Sequence, residues 1–234
     1  MENYMELSKR LQMVVDMVDK GSNVADIGTD HGYVPIYLKL NNIANNIIAM
    51  DVGKGPLSHA SSNIKCHRLE EYIETRLSDG LAAINPYEVD TVLIGGMGGE
   101  LTIKILTEGE KVVKSLRSLI LQPQSEIWKV RKFINENDMT IIKENMVLEE
   151  GHFYPVIKVG KGKESEYTNA ELYFGRCLLK DRNKILYDFI IREKLLKNKI
   201  LTSVLDKKTS NSQLRVNELK SELEIIEDAL SYYK

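Results

Sequence analysis

The fold class is decided by the stretch VADIGTDHGYVPIYL at residues 24–38. An apolar run leads into the segment Asp-Ile-Gly-Thr-Asp-His-Gly, and apolar residues at helical spacing follow this segment. This order predicts a strand, a tight loop and a helix. Gly28 and Gly32 let the backbone of this loop turn sharply and come close to a ligand. In an open parallel sheet such a loop lies at the carboxyl end of a strand, where ligands bind. We therefore expect a ligand site at this loop.

Short β-branched runs alternate with segments of helical length on both sides of this stretch. The alternation predicts an α/β fold with a parallel sheet covered on both faces. Two further extended runs, residues 139–148 and 153–159, are separated by a short turn and predict an antiparallel hairpin at the edge of the sheet. The predicted parallel strands are residues 23–28, 47–52, 73–78, 91–95 and 119–122. An amphipathic helix is predicted ahead of them by four apolar residues at helical spacing, Leu7, Leu11, Val14 and Val18.

The chain changes character after the charged stretch at residues 161–166. We place a boundary here between a first domain, residues 1–164, and a helical domain, residues 165–234. The second region has no strand signals, and a polar turn at residues 207–212 separates two helical patterns. The first pattern is an apolar stripe of Ile185, Phe189, Leu196, Ile200 and Val204. The second alternates steps of three and four through Val216, Leu219, Leu223, Ile226, Leu230 and Tyr233.

Alternating steps of three and four are typical of the seam of a coiled coil. Two antiparallel helices packed against each other explain both patterns best. Dimerisation through the same seam is the alternative, and a monomer is favoured.

Composition limits the class of protein. With 234 residues, 28% of them charged and 43% hydrophobic, the chain is expected to be globular. It has no run of about 18 apolar residues, so neither a signal peptide nor a membrane span is predicted and a cytoplasmic location is expected. Cys66 and Cys177 lie far apart without partners at ligand spacing, so neither a disulfide framework nor a metal site is predicted.

Charge is spread unevenly along the chain. Residues 1–175 contain 19 Lys and Arg against 25 Asp and Glu, whereas residues 176–215 contain 11 against 4. A basic segment on an otherwise acidic chain indicates a polyanionic partner. A solvated helix surface is the alternative explanation.

The loop after the first strand does not match a dinucleotide fingerprint. Asp30 stands where the second glycine of Gly-x-Gly-x-x-Gly would be, and Tyr33 replaces the third. A carboxylate at this point would repel a pyrophosphate, which disfavours a nicotinamide-dependent oxidoreductase. Acids suit a ligand with ammonium, sulfonium and ribose hydroxyl groups, such as S-adenosylmethionine.

Further acids follow the next two predicted strands. Asp51 ends the second strand, 23 residues after Gly28, where a carboxylate accepts hydrogen bonds from a ribose diol. Asp79, with Gly80 beside it, follows the third strand and is placed to contact an adenine amino group. A helix cap or a turn is the alternative role for Asp51 alone. Acids at three neighbouring strand ends favour the ligand interpretation.

The fourth strand ends in Gly-Gly-Met-Gly-Gly at residues 95–99, which we call the glycine loop. Four glycines in five positions indicate close backbone approach or unusual φ angles. Methyltransferases that alkylate an exocyclic amino group usually have Asp-Pro-Pro-Tyr or Asn-Pro-Pro-Tyr at this point. The absence of that sequence indicates a target atom that needs less activation, such as a ring nitrogen with an available lone pair.

Five motifs occur in order ahead of the predicted helical hairpin: LSKRL at residues 7–11, DIGTDHGY at 26–33, GGMGG at 95–99, LQPQ at 121–124 and EGHFY at 150–154. In this combination the chain resembles, over essentially its whole length, the bacterial tRNA methyltransferases that modify N1 of adenine 22. The resemblance implies a seven-stranded, Rossmann-like class I methyltransferase domain, S-adenosylmethionine as methyl donor, and a C-terminal coiled-coil domain that helps to bind tRNA. Methylation of another RNA base, or a non-catalytic RNA-binding adaptor with a vestigial fold, are the alternatives.

Site residues are predicted on this basis. Donor binding is assigned to the acids and to the loop residues around them: Asp26, Gly28, Thr29, Asp30, His31, Gly32, Asp51, Val52, Asp79, Gly80 and Gly95. Positioning of donor and target base, without an obligatory general base, is assigned to Gly95, Gly96, Met97 and Gly98. Substrate binding is assigned to Arg10, Gln124, Tyr154, Lys194 and Lys197.

Three of these side chains have alternative roles. Arg10 is either a phosphate or base contact or a solvated helix residue. His31 either lines the pocket or caps the following helix. Tyr154 and its neighbour Phe153 both offer stacking surfaces, but one of the two is expected to lie in the core because side chains alternate along a strand.

Overall fold

Seven strands form one sheet in the computed structural model, which describes residues 5–205 and 210–234. The strand order is β3-β2-β1-β4-β5-β7-β6. The first five strands in this order pair in parallel, and β7 pairs antiparallel with both β5 and β6. The bounds are β1 (Ser22–Ile27), β2 (Ala44–Asp51), β3 (Ile73–Leu77), β4 (Thr91–Gly95), β5 (Ser118–Gln122), β6 (Met139–Glu149) and β7 (His152–Lys161). The predicted α/β fold with its antiparallel hairpin at the edge is confirmed.

Helices cover this sheet and bury its centre. The bounds are α1 (Lys9–Val15), α2 (Tyr33–Leu40), α3 (Lys54–Cys66), α4 (Gly99–Glu108), α5 (Glu110–Ser115) and α6 (Ile127–Glu136). The five residues of β5 are all buried, as are four of the five in β4. Strands buried on both faces need continuous apolar runs, which is why the central strands read as β-branched and leucine-rich sequences rather than as alternating patterns.

Helix α1 packs against the hairpin formed by β6 and β7. Its buried residues Met13, Val14 and Val15 belong to the same core cluster as Val156 of β7. The backbone N–H of Lys9 donates to Glu149 Oε1 at 2.6 Å. The helix is shorter than the predicted apolar pattern, because the Ser8 hydroxyl caps its start and accepts from the Leu11 N–H.

The described residues divide into two units between Glu164 and Ser165. The second unit contains α7 (Asn169–Phe174), α8 (Arg176–Lys180), α9 (Lys184–Leu205) and α10 (Ser210–Ser231). The two short helices α7 and α8 were not predicted. Residues 207–209 of the predicted turn lie outside the described residues, and the prediction is wrong for residues 210–212, which are helical.

Helices α9 and α10 pack against each other in antiparallel directions. Ion pairs link Lys194 to Glu227 and Lys197 to Glu222 across the two helices. The predicted stripe on α9 is wrong in part. The buried residues there are Leu186 and Ile190, and Leu196 is 49% exposed. The stripe misleads because the apolar residues of α9 have more than one partner: Phe189, for example, meets Phe174 of α7 edge-on. On α10, Val216, Leu219 and Ile226 are buried as predicted, together with Ala229.

Candidate active site

The carboxyl ends of five parallel strands meet at one edge of the sheet. In the register of the sheet, Asp51 lies beside Leu77, Ile27 beside Ile94, and Gly95 beside Gln122. The loops that follow these strand ends are therefore neighbours. The structure brings together at this edge the predicted residues of the first loop, the two further strand-end acids and the glycine loop.

The first loop, residues 28–32, is fixed by β2 and by the glycine loop. The backbone N–H groups of Gly28 and Thr29 donate to the Met50 carbonyl at 2.8 and 2.9 Å. Gly28 has a φ of +78°, and a Cβ added here would lie 2.6 Å from Met97 Cε. Glycine adopts this φ without strain and leaves room for the Met97 methyl, so the Met97 side chain of the glycine loop packs directly on the first loop.

Asp26 is a buried carboxyl beneath this loop, with 8% of its surface exposed. Burial raises the pKa of Asp26 from 3.8 to about 6, and the Asp51 carboxylate adds to the rise. A buried acid without a cationic partner is destabilising when ionised. Such an arrangement is typical of a functional site rather than of a structural one.

The two carboxylate oxygens of Asp51 have different surroundings. Its Oδ1 accepts from the Gly53 N–H at 2.7 Å, and Gly53 is the residue that precedes α3. The turn role considered from sequence is therefore real. Among the described residues Oδ2 has no hydrogen-bond partner, so one oxygen of this half-buried carboxylate is available to a ligand.

Asp79 is exposed, and its neighbour Ser78 holds the turn in place. The Ser78 hydroxyl donates to the Gly80 carbonyl at 3.1 Å and accepts from the Ala83 N–H at 3.1 Å. Asp30 and Val52 are exposed as well. These side chains border the site without being buried in it.

His31 does not cap α2. Gly32 is the N-cap residue, and no side chain caps that helix. The His31 ring instead lies between two other rings, with centroid distances of 5.4 Å to both Tyr33 and His59. The alternative that His31 caps the helix is therefore wrong, and its ring forms part of an aromatic stack beside the first loop.

The glycine loop packs on the segment that follows β5. The N–H of Gln124 donates to the Met97 carbonyl at 2.8 Å, and the N–H of Gly99 donates to the Ser125 carbonyl at 3.0 Å. A Cβ on Gly99 would lie 2.7 Å from the Ser125 carbonyl oxygen, closer than any side chain permits. The run of glycines thus allows two backbone segments to touch.

Gln122 is the site residue that the sequence did not predict. It closes the buried strand SLILQ and is 1% exposed. Its Oε1 accepts from the Gly96 N–H and from Arg10 Nη1, each at 3.2 Å. The signal in the sequence is a single amide at the end of an otherwise apolar strand. From the sequence, Gln124 is predicted as the substrate-binding amide instead.

Arg10 and Tyr154 complete this side of the site. The Arg10 guanidinium carbon lies 5.6 Å from the centre of the Tyr154 ring, within the range of a cation–π contact. Tyr154 is half-buried and packs against the main core cluster as well. The exposed Gln124 lies close by, with its Nε2 3.9 Å from the point where a Cβ on Gly96 would stand.

Residues 7–157 match the family described as "Methyltransferase domain". This match spans more than half of the chain. The chain belongs to this methyltransferase family.

The methyltransferase is similar to proteins of known structure over nearly its whole length. The tRNA (adenine(22)-N(1))-methyltransferase of Bacillus subtilis is 29% identical over 98% of this chain and 99% of its own. The crystal structure of the B. subtilis enzyme superposes with a TM-score of 0.88, covering 97% of this chain and 100% of that one. A Listeria monocytogenes protein described as uncharacterized is 31% identical with a TM-score of 0.92, covering 96% of this chain and 100% of that one. The TrmK protein of M. capricolum, in complex with S-adenosyl-homocysteine, is 26% identical with a TM-score of 0.85, covering 99% and 100%.

Two predicted substrate residues of the methyltransferase, Lys194 and Lys197, lie in the second unit and not among the residues described above. Each is paired with a glutamate across the helical hairpin, Lys194 at 2.5 Å and Lys197 at 2.6 Å. No local pattern predicts these pairs, because the partners are remote along the chain. Within residues 5–205 and 210–234, no helix has the length and apolar character of a membrane span, and no group of three or more His, Cys, Asp or Glu is placed to hold a metal ion.

Proposed function

We propose that this chain transfers the methyl group of S-adenosylmethionine to N1 of adenine 22 in tRNA. The observation that carries the proposal is the row of carboxylates at neighbouring strand ends beside a loop of glycines. The similarity to the B. subtilis tRNA (adenine(22)-N(1))-methyltransferase, which extends over 98% of this chain, supports the choice of substrate.

The residues at this edge fit S-adenosylmethionine. The buried Asp26 lacks a cation among the described residues, and the donor has an ammonium group to supply one. The available oxygen of Asp51 suits a ribose diol, and the exposed Asp79 suits an adenine amino group. We assign the remaining donor-site residues to the edge of the same pocket, which they line with backbone or ring atoms: Gly28, Thr29, Asp30, His31, Gly32, Val52, Gly80 and Gly95.

Methylation of adenine N1 requires little from the protein other than alignment of the methyl donor with the base. When bound, S-adenosylmethionine supplies a methyl group already activated by the sulfonium. Adenine N1 has its own lone pair, so this chain has to hold the base in line at near-attack distance, an effect worth up to about 7–11 kcal/mol in favourable cases. No general base is needed, because N1-methyladenine leaves as a cation.

Positioning of the base is assigned to residues around the glycine loop. Gly95, Gly96, Met97 and Gly98 form the surface on which the base lies. Arg10, Gln124 and Tyr154 are grouped around it and supply donors and a ring. Adenine 22 lies in the D-arm region of tRNA, so the base has to be flipped out of its stack at a cost of a few kcal/mol.

The helical unit is assigned to tRNA phosphates. Its residues 176–215 contain 11 Lys and Arg against 4 Asp and Glu. Lys194 and Lys197 belong to this set, but each has to exchange its glutamate for a phosphate oxygen, whereas the exposed Lys199 does not. A cytoplasmic monomer fits this role, because tRNA is cytoplasmic in bacteria and the apolar seam of α10 is already covered by α9 within one chain.

The test is nucleoside mass spectrometry. The purified chain is incubated with S-adenosylmethionine and an unmodified tRNA transcript with adenine 22, beside the same transcript with guanine at that position. The expected result is N1-methyladenine in the first transcript only. No methylated nucleoside in either, with donor binding established by calorimetry, would overturn the tRNA assignment in favour of another RNA, and absence of donor binding would favour the adaptor.

A further inference from the structure

Gln122 has a buried donor without a partner. Its Nε2 is shielded from solvent and makes no hydrogen bond within the described residues. The orientation of the amide is set by its other end, since Oε1 accepts from two N–H groups, those of Gly96 and Arg10. Buried N–H groups in native proteins are nearly always paired, so an orphan of this kind indicates a group that arrives with a ligand.

The Arg10 guanidinium lies at the same carboxamide. It donates to Gln122 Oε1 at 3.2 Å, lies 5.6 Å from the Tyr154 ring centre, and has Nη1 3.9 Å from the side-chain position of Gly96. A flat group with N–H donors, next to an aromatic ring and above a glycine, resembles an adenine with its amino group. The guanidinium therefore occupies the kind of space that a target base needs.

We propose that Gln122 binds the N6 and N7 edge of the target adenine, and that Arg10 occupies this place until the base enters. Oε1 would accept from the N6 amino group in place of Arg10, and the unpaired Nε2 would donate to N7. This two-bond pattern is the usual contact between glutamine and adenine. It leaves the N1 lone pair free for methylation. The inference rests on the proposed function and identifies the group by which that site recognises its base.

Departure of Arg10 also follows from the chemistry. The base becomes a cation when N1 is methylated, and a guanidinium at hydrogen-bond distance from the same carboxamide would oppose that charge. Moving to a phosphate places the guanidinium where its charge is favourable. Recognition of the adenine edge is thus assigned to the buried Gln122 and not to the exposed Gln124, which the sequence pattern places among the substrate-binding residues.

The experiment uses two tRNA transcripts, one with adenine 22 and one with 7-deazaadenine 22. The analogue lacks the N7 acceptor and keeps N1 and the amino group. Because its pyrrole ring is electron-rich, N1 is no poorer a nucleophile. For the unaltered chain, kcat/KM is expected to fall by roughly 10-fold on the analogue, the cost of one buried hydrogen bond. The Kd, measured by fluorescence anisotropy with S-adenosyl-homocysteine present, is expected to be higher for the 7-deazaadenine transcript than for the adenine transcript.

Gln122→Glu separates recognition from structure. The glutamate still accepts from the N–H of Gly96 but cannot donate to N7, so the preference for adenine over 7-deazaadenine is expected to vanish. Gln213→Glu on α10, whose side chain is exposed, is the control and is expected to retain the 10-fold preference.

Equal kcat/KM on the two transcripts for the unaltered chain would overturn the inference while leaving N1 methylation intact. A preference that survives in Gln122→Glu would overturn it as well. Absence of N1-methyladenine from both transcripts would overturn the proposed function and this inference with it. If Gln122→Glu is inactive on both transcripts, the inference is decided by two measurements on the unaltered chain. These are the ratio of its kcat/KM values on the two transcripts and its two Kd values.

Discussion

Replacing Asp26 by asparagine should make the unliganded protein more stable and a poorer binder of S-adenosylmethionine. The carboxyl is 8% exposed, and burial raises its pKa from 3.8 to about 6. At neutral pH the folded protein therefore holds a buried charge that the unfolded chain exposes to water. Asparagine has the same shape but no charge to desolvate.

The size of the stability change follows from the linkage between proton binding and folding. Each pKa unit corresponds to about 1.36 kcal/mol, so a rise from 3.8 to about 6 lowers the free energy of unfolding by about 3 kcal/mol once the pH is well above 6. Between these two pKa values the folded state binds more protons than the unfolded state, so this cost grows as the pH rises through that window. The advantage of Asp26→Asn should be about 3 kcal/mol at pH 8 and about half of that at pH 5.

Urea unfolding at both pH values measures this difference. The chain has one tryptophan, Trp128 in α6, so its fluorescence follows the unit that contains Asp26. Asp138→Asn is the matched control, because that carboxylate is 84% exposed, and its effect should be small at both pH values. The reasoning is refuted if Asp26→Asn is no more stable than the unaltered chain at pH 8. Calorimetry should show donor affinity reduced by roughly 10-fold or more, because the proposed function pairs the buried charge with the ammonium group of the donor.

Three further outcomes are expected. Gly28→Ala should lower the stability of the sheet unit by roughly 1–3 kcal/mol, because alanine is strained at a φ of +78° and meets Met97 Cε at 2.6 Å; adding Met97→Ala should recover the steric part, as measured by thermal unfolding. Asp51→Asn keeps an acceptor for its turn but loses the charged oxygen, so calorimetry should show S-adenosylmethionine bound roughly 10-fold more weakly; unchanged affinity would remove Asp51 from the donor site. Lys199→Met should reduce the slope of log affinity for tRNA against log salt concentration by about 1, and Lys197→Met, already neutralised by its ion pair, should reduce it by less; equal slopes for both variants would contradict the assignment.

The parts of the fold that the sequence predicts depend on local signals. Alternating strands and helices, and the turn around residue 150 between two extended runs, are visible within windows of about ten residues. The close approach of backbone at Gly99 is also indicated by the residue type, since a side chain there would collide with the Ser125 carbonyl oxygen. Acids at strand ends were predictable because parallel strands place their carboxyl ends at one edge.

What the sequence did not predict depends on contacts between remote residues. Gln122 becomes part of the site through Arg10, 112 residues away along the chain. Lys197 meets its glutamate 25 residues away, so its charge looked available when it is shared. Helix α9 turns its apolar residues toward more than one neighbour, so a single stripe misplaces Leu196. Periodicity shows that a face is apolar, but it does not show how many partners divide that face.

The docking of α1 against β6 has a consequence for synthesis on the ribosome. The contact between Lys9 and Glu149 joins residues 140 positions apart, and Lys158 pairs with Asp19 across 139 positions. When the donor side of the pocket has emerged with β1 to β4, Arg10 still has no hairpin to pack on. Closing so long a loop is slow, so the contacts of Arg10 with the hairpin form last. With the roles proposed above, a nascent chain acquires its donor site well before its site for the RNA base.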